Sequence, residues 1–266
     1  MIPFTNPPIT VTFLGSGTSS GVPMIGCDCE VCASENPKDN RLRSSILVES
    51  PTTNFVVDTT PDFRYQMLRV HSKKLDAVLF THPHKDHVAG LDDIRAYNYF
   101  QEKPMDVYAN ALTKETLLRD FYYAFAEKKQ PGLPRIDLHT INEMPFTIGD
   151  VAIAPIVVWH MKMMVYGFRM GDFTYITDAN RIDEVEKEKI KGSKVLVLNA
   201  LRKEKHLSHF TLDEAVELAN ELQVEQVYLT HISHQLGLHN TINSQLPPHI
   251  QLAYDGLKFT VGYTGL

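Results

Sequence analysis

His82-Pro83-His84-Lys85-Asp86-His87 places three imidazoles and a carboxylate within six residues, directly after the compact apolar run Ala77 to Phe80. Chance matches to this HxHxDH spacing number on the order of 10⁻³ per chain of this composition, so the pattern carries information. Imidazole and carboxylate together suit Zn, Mn or Fe. Six residues in a row cannot all reach one ion, so two ions sharing the loop is the expected geometry. The remaining donors must come from elsewhere in the chain.

Three other apolar runs end in a residue of ligand type: Pro155 to Trp159 before His160, Phe173 to Thr177 before Asp178, and Val227 to Thr230 before His231. One strand-end His or Asp is ordinarily a cap or a satisfied hydrogen-bonder. Together with His82 the placement occurs four times, and ligands on the ends of neighbouring strands converge on one edge of the sheets.

Farther out, alternation and turn residues predict strands over 9–14, 45–50, 55–57, 77–80, 138–141, 151–159, 165–170, 173–176, 195–198 and 227–229. Helical spacing predicts helices from Thr60-Pro61 to about Val70 and over 86–97, 112–126, 182–190 and 212–222, the last opened by a Thr211/Glu214 capping box. Gln130-Pro131-Gly132-Leu133-Pro134 breaks the chain. Strands mixed with helices in both halves predict an α/β fold, two sheets sandwiched between helices, in one continuous domain over 1–266.

Of the 266 residues 43% are hydrophobic and 22% charged, which excludes a disordered, collagenous or coiled-coil chain. The net charge of −6 and the lack of a long basic run argue against a nucleic-acid partner and for a small one. No basic residue precedes Lys38 and no apolar run has signal or membrane-spanning length, so the expectation is a cytoplasmic protein without a membrane partner. Cys27, Cys29 and Cys32 fall within six residues, an odd number too closely spaced for a disulfide framework, so a metal is the better reading.

Taken together, Phe13-Leu14-Gly15-Ser16-Gly17-Thr18-Ser19-Ser20-Gly21-Val22-Pro23, the HxHxDH loop, His160, Asp178 and His231 in this order resemble the metallo-β-lactamase superfamily, a four-layered αββα sandwich. The resemblance implies one divalent ion held by His82, His84 and His160 and a second by Asp86, His87 and His231, with Asp178 bridging both. Asp58 would then brace the ligand loop from behind. Cys27-Asp28-Cys29-Glu30-Val31-Cys32, with His231-Ile232-Ser233-His234, is similar to the phosphoribosyl 1,2-cyclic phosphate phosphodiesterases of the carbon–phosphorus lyase pathway. There such residues bind a structural zinc, which here would use Cys27, Cys29, Cys32 and His234. Arg43-Ser44-Ser45, Lys162 and the stretch around His209 extend the likeness, which also implies a homodimer.

The function expected is a dinuclear metal hydrolase of a small, cyclic phosphodiester, with Asp86, Asp178 and His209 catalytic. A free imidazole at His209 would protonate a leaving oxygen or grip a phosphate oxygen. The alternatives are a ribonuclease like the transfer-RNA 3′ processing endonucleases, which needs a basic arm, a lactonase or β-lactamase, and a metal-binding or sensing protein without turnover. Three features carry less. Gly15-Ser16-Gly17 lacks the following helix of a dinucleotide site, Met161, Met163 and Met164 read as packing, and Arg202-Lys203-Glu204-Lys205 reads as a solvated loop.

Overall fold

The computed structural model describes residues 7–126 and 132–262. In chain order the strands are β1 (Ile9–Gly15), β2 (Ser45–Glu49), β3 (Asn54–Val57), β4 (Ala77–Leu79), β5 (Met105–Ala109), β6 (Ile136–Thr140), β7 (Phe146–Ile148), β8 (Val151–His160), β9 (Met163–Met170), β10 (Phe173–Tyr175), β11 (Val195–Asn199), β12 (Gln226–Thr230), β13 (Ile250–Leu252) and β14 (Lys258–Val261). They build two seven-stranded sheets, ordered β14-β1-β2-β3-β4-β5-β6 and β13-β12-β11-β10-β9-β8-β7. Each sheet changes from antiparallel to parallel pairing midway, at β3 in the first and at β10 in the second.

The strand sequences explain why the sheets stack. Side chains alternate across a strand, so an unbroken apolar run has both faces buried. Phe55 and Val57 point into the cluster between the sheets, and Val56 between them points to the helices outside. Val197 faces the other sheet, while Leu196 and Leu198 face the second helical layer. Full burial of such a side chain stabilises by about 1.5–3 kcal/mol, so the three apolar clusters hold the layers together.

The helices are α1 (Phe63–Arg69), α2 (Lys85–Val88), α3 (Arg95–Gln101), α4 (Ala111–Asp120), α5 (Glu184–Ile190), α6 (Leu212–Leu222) and α7 (His239–Asn243). Phe63, Met67, Tyr97 and Leu117 cover the first sheet, and Ile190, Leu218, Leu222 and Ile242 cover the second. The result is the expected αββα sandwich. The capping box at Thr211 is present, with both reciprocal bonds to Glu214 formed.

Several elements differ from the sequence reading. The helix expected over 86–97 is cut at Gly90 into α2, a 3-10 turn (Leu91–Ile94) and α3. Gly90 N–H donates to Thr59 O, and a Cβ at Gly90 would lie 2.1 Å from Thr60 O, so a crossing segment holds the chain off the helical path. The helix expected over 112–126 ends at Asp120, where a 3-10 turn (Tyr122–Ala124) follows. Thr60 is not a helix cap: its hydroxyl accepts from Asp62 N–H and donates to the Gln66 side chain, and α1 starts later. Strands β5, β7, β13 and β14 are found where no strand was read, each three to five residues long. Gln130 and Pro131 of the expected break lie outside the described residues. Among the described residues no helix is long and apolar enough to cross a membrane.

The glycine loop after β1 owes its composition to crowding. A Cβ on Gly15 would meet Arg43 O at 1.9 Å, and Gly17 pairs on both sides, with Arg43 and with Ile232. Behind it, the buried Asp255 carboxylate accepts from Ser16 N–H, Ser16 Oγ and Leu42 N–H at 2.9, 2.8 and 2.9 Å. Because the obstacle at Gly15 is backbone, Gly15→Ala is expected to destabilise the protein by about 1–3 kcal/mol, the usual cost of overpacking, measured as a lower midpoint of urea denaturation.

Candidate metal centre

β4, β8, β10 and β12 run in one direction within their sheets, since β8 and β10 are both antiparallel to β9 and β10 is parallel to β11 and β12. Their carboxyl ends therefore share one edge of the sandwich. There β4 leads through Phe80 and Thr81 to His82, β8 ends in His160, β10 leads to Asp178 and β12 to His231. Asp58, just beyond β3, joins them. Asp58, Asp178 and His231 have φ of 68°, 53° and 57°. Asp and His are among the few side chains that tolerate this left-handed region, which costs about 1–3 kcal/mol at each position.

The hydrogen bonds around the ligand loop fix which ring nitrogens carry protons. Asp58, with no exposed surface, accepts from Thr81 N–H at 2.9 Å, Thr81 Oγ1 at 2.8 Å and His87 Nδ1 at 2.7 Å. Thr81 Oγ1 gives its proton to Asp58, so it accepts from His82 Nδ1 at 2.9 Å. Ser208 O can only accept, so His160 Nδ1, 2.8 Å away, is its donor. His82, His87 and His160 consequently offer Nε2 towards the centre. His231 uses the opposite face: Nε2 bonds Thr18 Oγ1 at 3.2 Å, and Nδ1 lies 3.1 Å from Asp178 Oδ1.

The expected ligand residues converge on one place, although the groups that share ligand reach cut across the expected sets, pairing His82 with His87, His84 with His160 and His231 with His209. The rings of His82, His84 and His160 lie with centroids 4.7, 5.1 and 5.9 Å apart. On the other side His87 and His231 stack at 5.9 Å, and His87 Nε2 is 3.3 Å from Asp86 Oδ2. Asp178 stands between: its ligand oxygens lie within 4.8 Å of donor nitrogens in three groupings, with His82 and His87, with His84 and His160, and with His209 and His231. The third grouping brings in His209, which is only 8% exposed and lies 4.6 Å from the rings of both His160 and His231.

Charge states favour a cation. Burial, aided by neighbouring imidazoles, pushes His82 well below the usual imidazole range, lowers His84 and His231, and takes His209 to about 2. Against the burial cost, His87 and then His231 hold Asp86 ionised, and His231 and His87 do the same for Asp178. His87 is the exception: burial opposes its charge, but Asp178, Asp86 and Asp58 outweigh that and raise it well above the usual range. His87 Nε2, His209 Nδ1 and His231 Nδ1 are buried without a hydrogen-bond partner. Neutral imidazoles and ionised carboxylates are the ligating forms, so this donor set fits divalent ions, with His87 releasing its Nε2 proton to ligate while Nδ1–H stays bonded to Asp58.

Apart from this centre, His234 Nδ1 lies 3.4 Å from Cys27 Sγ and 3.3 Å from Cys29 Sγ, and with Cys32 these four offer ligand atoms within 4.8 Å of one another. Hydrogen bonds from His234 and from the Cys32 backbone bring the Cys29 thiol down to about 6. Burial, with the neighbouring thiols, raises Cys32 to about 11. A thiolate at Cys32 thus needs a cation beside it.

Thr18, Thr81 and Ser208 were not singled out in the sequence. Thr81 carried a signal, its place next to His82; Thr18 and Ser208 carried none. Asp58→Asn keeps the side-chain shape and tolerates the left-handed backbone but weakens acceptance from His87. It is expected to lower divalent-metal affinity by about 10- to 100-fold, measured by competition with a chromogenic chelator, with the fold retained.

A model of the β-lactamase superfamily domain matches residues 53–232. A protein of Porphyromonas gingivalis named octanoyltransferase is 36% identical over 256 residues, 95% of this chain and 52% of that protein, so the chain spans about half the length of this relative. The crystal structure of a diphosphatase from the PhnP family is 41% identical, with a TM-score of 0.90 over 96% of this chain and 97% of that one. YhfI of Bacillus subtilis, a metallo-β-lactamase fold protein, shares the fold at 18% identity, with a TM-score of 0.75 over 96% of this chain and all of that one. With its two sheets between helices and its ligand-type residues gathered at one sheet edge, the chain belongs to the metallo-β-lactamase superfamily and resembles its PhnP family.

Proposed function

We propose that residues 1–266 form one hydrolase unit, a dinuclear metal-dependent phosphodiesterase for a small phosphodiester, a cyclic one such as phosphoribosyl 1,2-cyclic phosphate being the best candidate. The observation that carries the reading is Asp178, buried, ionised and within ligand reach of three groups of imidazoles at once. The choice of phosphorus over an acyl centre is supported by likeness to the PhnP-family diphosphatase along nearly all of both chains.

In this reading His82, His84 and His160 would hold one ion and Asp86, His87 and His231 the other, with Asp178 shared between them. When bound, such ions, whether Zn, Mn or Fe, neutralise phosphoryl charge and supply water acidic enough to react near neutral pH. The chain's own groups do the rest. Asp58 and Thr81 keep the ligand loop rigid, and Ser208 and Thr18 aim His160 and His231. His209, held neutral by burial, is suited to gripping a phosphoryl or leaving oxygen through an N–H rather than to delivering a proton as imidazolium.

Cys27, Cys29, Cys32 and His234 form a closed set for a structural zinc, which would tie the 27–32 loop to the segment just after His231.

Bis(p-nitrophenyl) phosphate with added Mn²⁺ or Zn²⁺ tests the activity; no turnover with either ion would leave a metal-binding protein without catalysis. Asp178→Ala is expected to abolish turnover and deplete bound metal while far-ultraviolet circular dichroism stays as in the parent. His209→Ala should retain metal and lose about 10²- to 10⁴-fold in rate. Gripping predicts similar losses for p-nitrophenyl and alkyl leaving groups, whereas proton delivery predicts a smaller loss for p-nitrophenyl. For Cys29→Ser, purified without chelator, one zinc fewer per chain and a lower melting temperature are expected, with the catalytic metals retained.

A further inference from the structure

His206 sits at the outer end of a stack of imidazoles. Its ring lies 5.3 Å from that of His209 at an interplanar angle of 27°, and His209 lies 4.6 Å from His231 at 24°. His206 follows the Arg202–Lys205 stretch read as a solvated loop, but the structure half-buries it and fixes the approach to it. The Arg202 guanidinium donates to Glu204 O and Lys205 O at 3.2 Å each and to Gln235 Oε1 at 2.7 Å, curling the loop and tethering it beside His234.

Ser208 orients two imidazoles in opposite senses. Its carbonyl accepts from His160 Nδ1, which leaves the His160 Nε2 lone pair for the centre. Its backbone N–H donates to His206 Nδ1 at 3.4 Å, with Ser208 Oγ also 3.2 Å from that nitrogen. An amide N–H can only donate, so His206 Nδ1 is the acceptor and the neutral ring carries its proton on Nε2. Where His160 presents a lone pair, His206 presents a donor, one ring farther from the metal-ligand residues.

Resting on the reading that a phosphoryl group binds at the metal centre, we propose that His206 is a substrate-binding residue whose Nε2–H grips an oxyanion one phosphoryl group beyond the reacting one. The site is thereby suited to diphosphates as well as to simple phosphodiesters. No group among the described residues hydrogen-bonds His206 Nε2, and the Arg202 cation beside the loop favours an anionic ligand.

The test is calorimetric titration of the metal-loaded protein with methyl phosphate and with methyl diphosphate, which differ by one phosphoryl group, metal content being checked after each run. His206→Phe keeps an aromatic ring in the stack and removes the donor. It should weaken methyl diphosphate by about 10- to 100-fold, the usual range for a hydrogen bond to a charged group, and leave methyl phosphate within twofold. His206→Gln, which keeps an N–H donor, should recover most of that loss. Equal weakening of both ligands would make His206 only a support for the His209 ring, and no change in either would show that it does not touch the ligand; both overturn the proposal. Binding needs no turnover, so a failed phosphodiesterase assay leaves this test intact.

Discussion

Asp58 lies at the carboxyl end of β3 with no surface exposed, and the groups bonded to its carboxylate shape the ligand loop. Through Thr81 it sets the proton on His82, and directly it sets the proton on His87, so one buried charge aims two imidazoles. Its own backbone is held in turn: Ser45 Oγ on β2 donates to Asp58 O, and Asp58 N–H donates to Leu79 O on β4. A buried carboxylate without these donors would be costly, which is why the loop conformation and the sheet beneath it cannot be varied independently.

At the mouth of the sandwich the balance of charge runs the other way. Asp58, Asp86 and Asp178 crowd around His87 and force it to carry a proton, while the imidazoles around them are kept neutral by burial. Together with three left-handed backbone positions and a buried His209 Nδ1 that has no hydrogen-bond partner, this is an arrangement unfavourable in itself that divalent ions would relieve. The rest of the fold has to stabilise it, and the three apolar clusters between and outside the sheets do so by burying their side chains.

The glycine loop connects both. Thr18 within it reaches His231, 213 residues later in the chain, and Ser16 and Leu42 are anchored by Asp255. A segment whose glycines resembled a nucleotide site is instead a close-packed wall, with Gly15 and Gly17 pressed against the backbone of residues 41–43. The half of the chain that carries β1 therefore helps orient ligands on the other sheet.

Much was legible in the residues themselves. The HxHxDH spacing, the ligand-type residues ending apolar runs and the Thr211/Glu214 box are local: each needs only a few consecutive residues, whose bond geometry brings their side chains together in any context. Strands mixed with helices in both halves likewise announced two sheets between helices, and the family resemblance implied the four layers. What only the tertiary structure decided involves groups distant in sequence. Gly90 breaks a helix because Thr60 O occupies the space, Ser208 aims His160, and His209 is packed against the rings of both His160 and His231. These follow from the register of strands that meet only after both sheets have formed. The sequence fixes the chemistry of each side chain, whereas the distances and proton positions that make a site are set by packing summed over the whole chain.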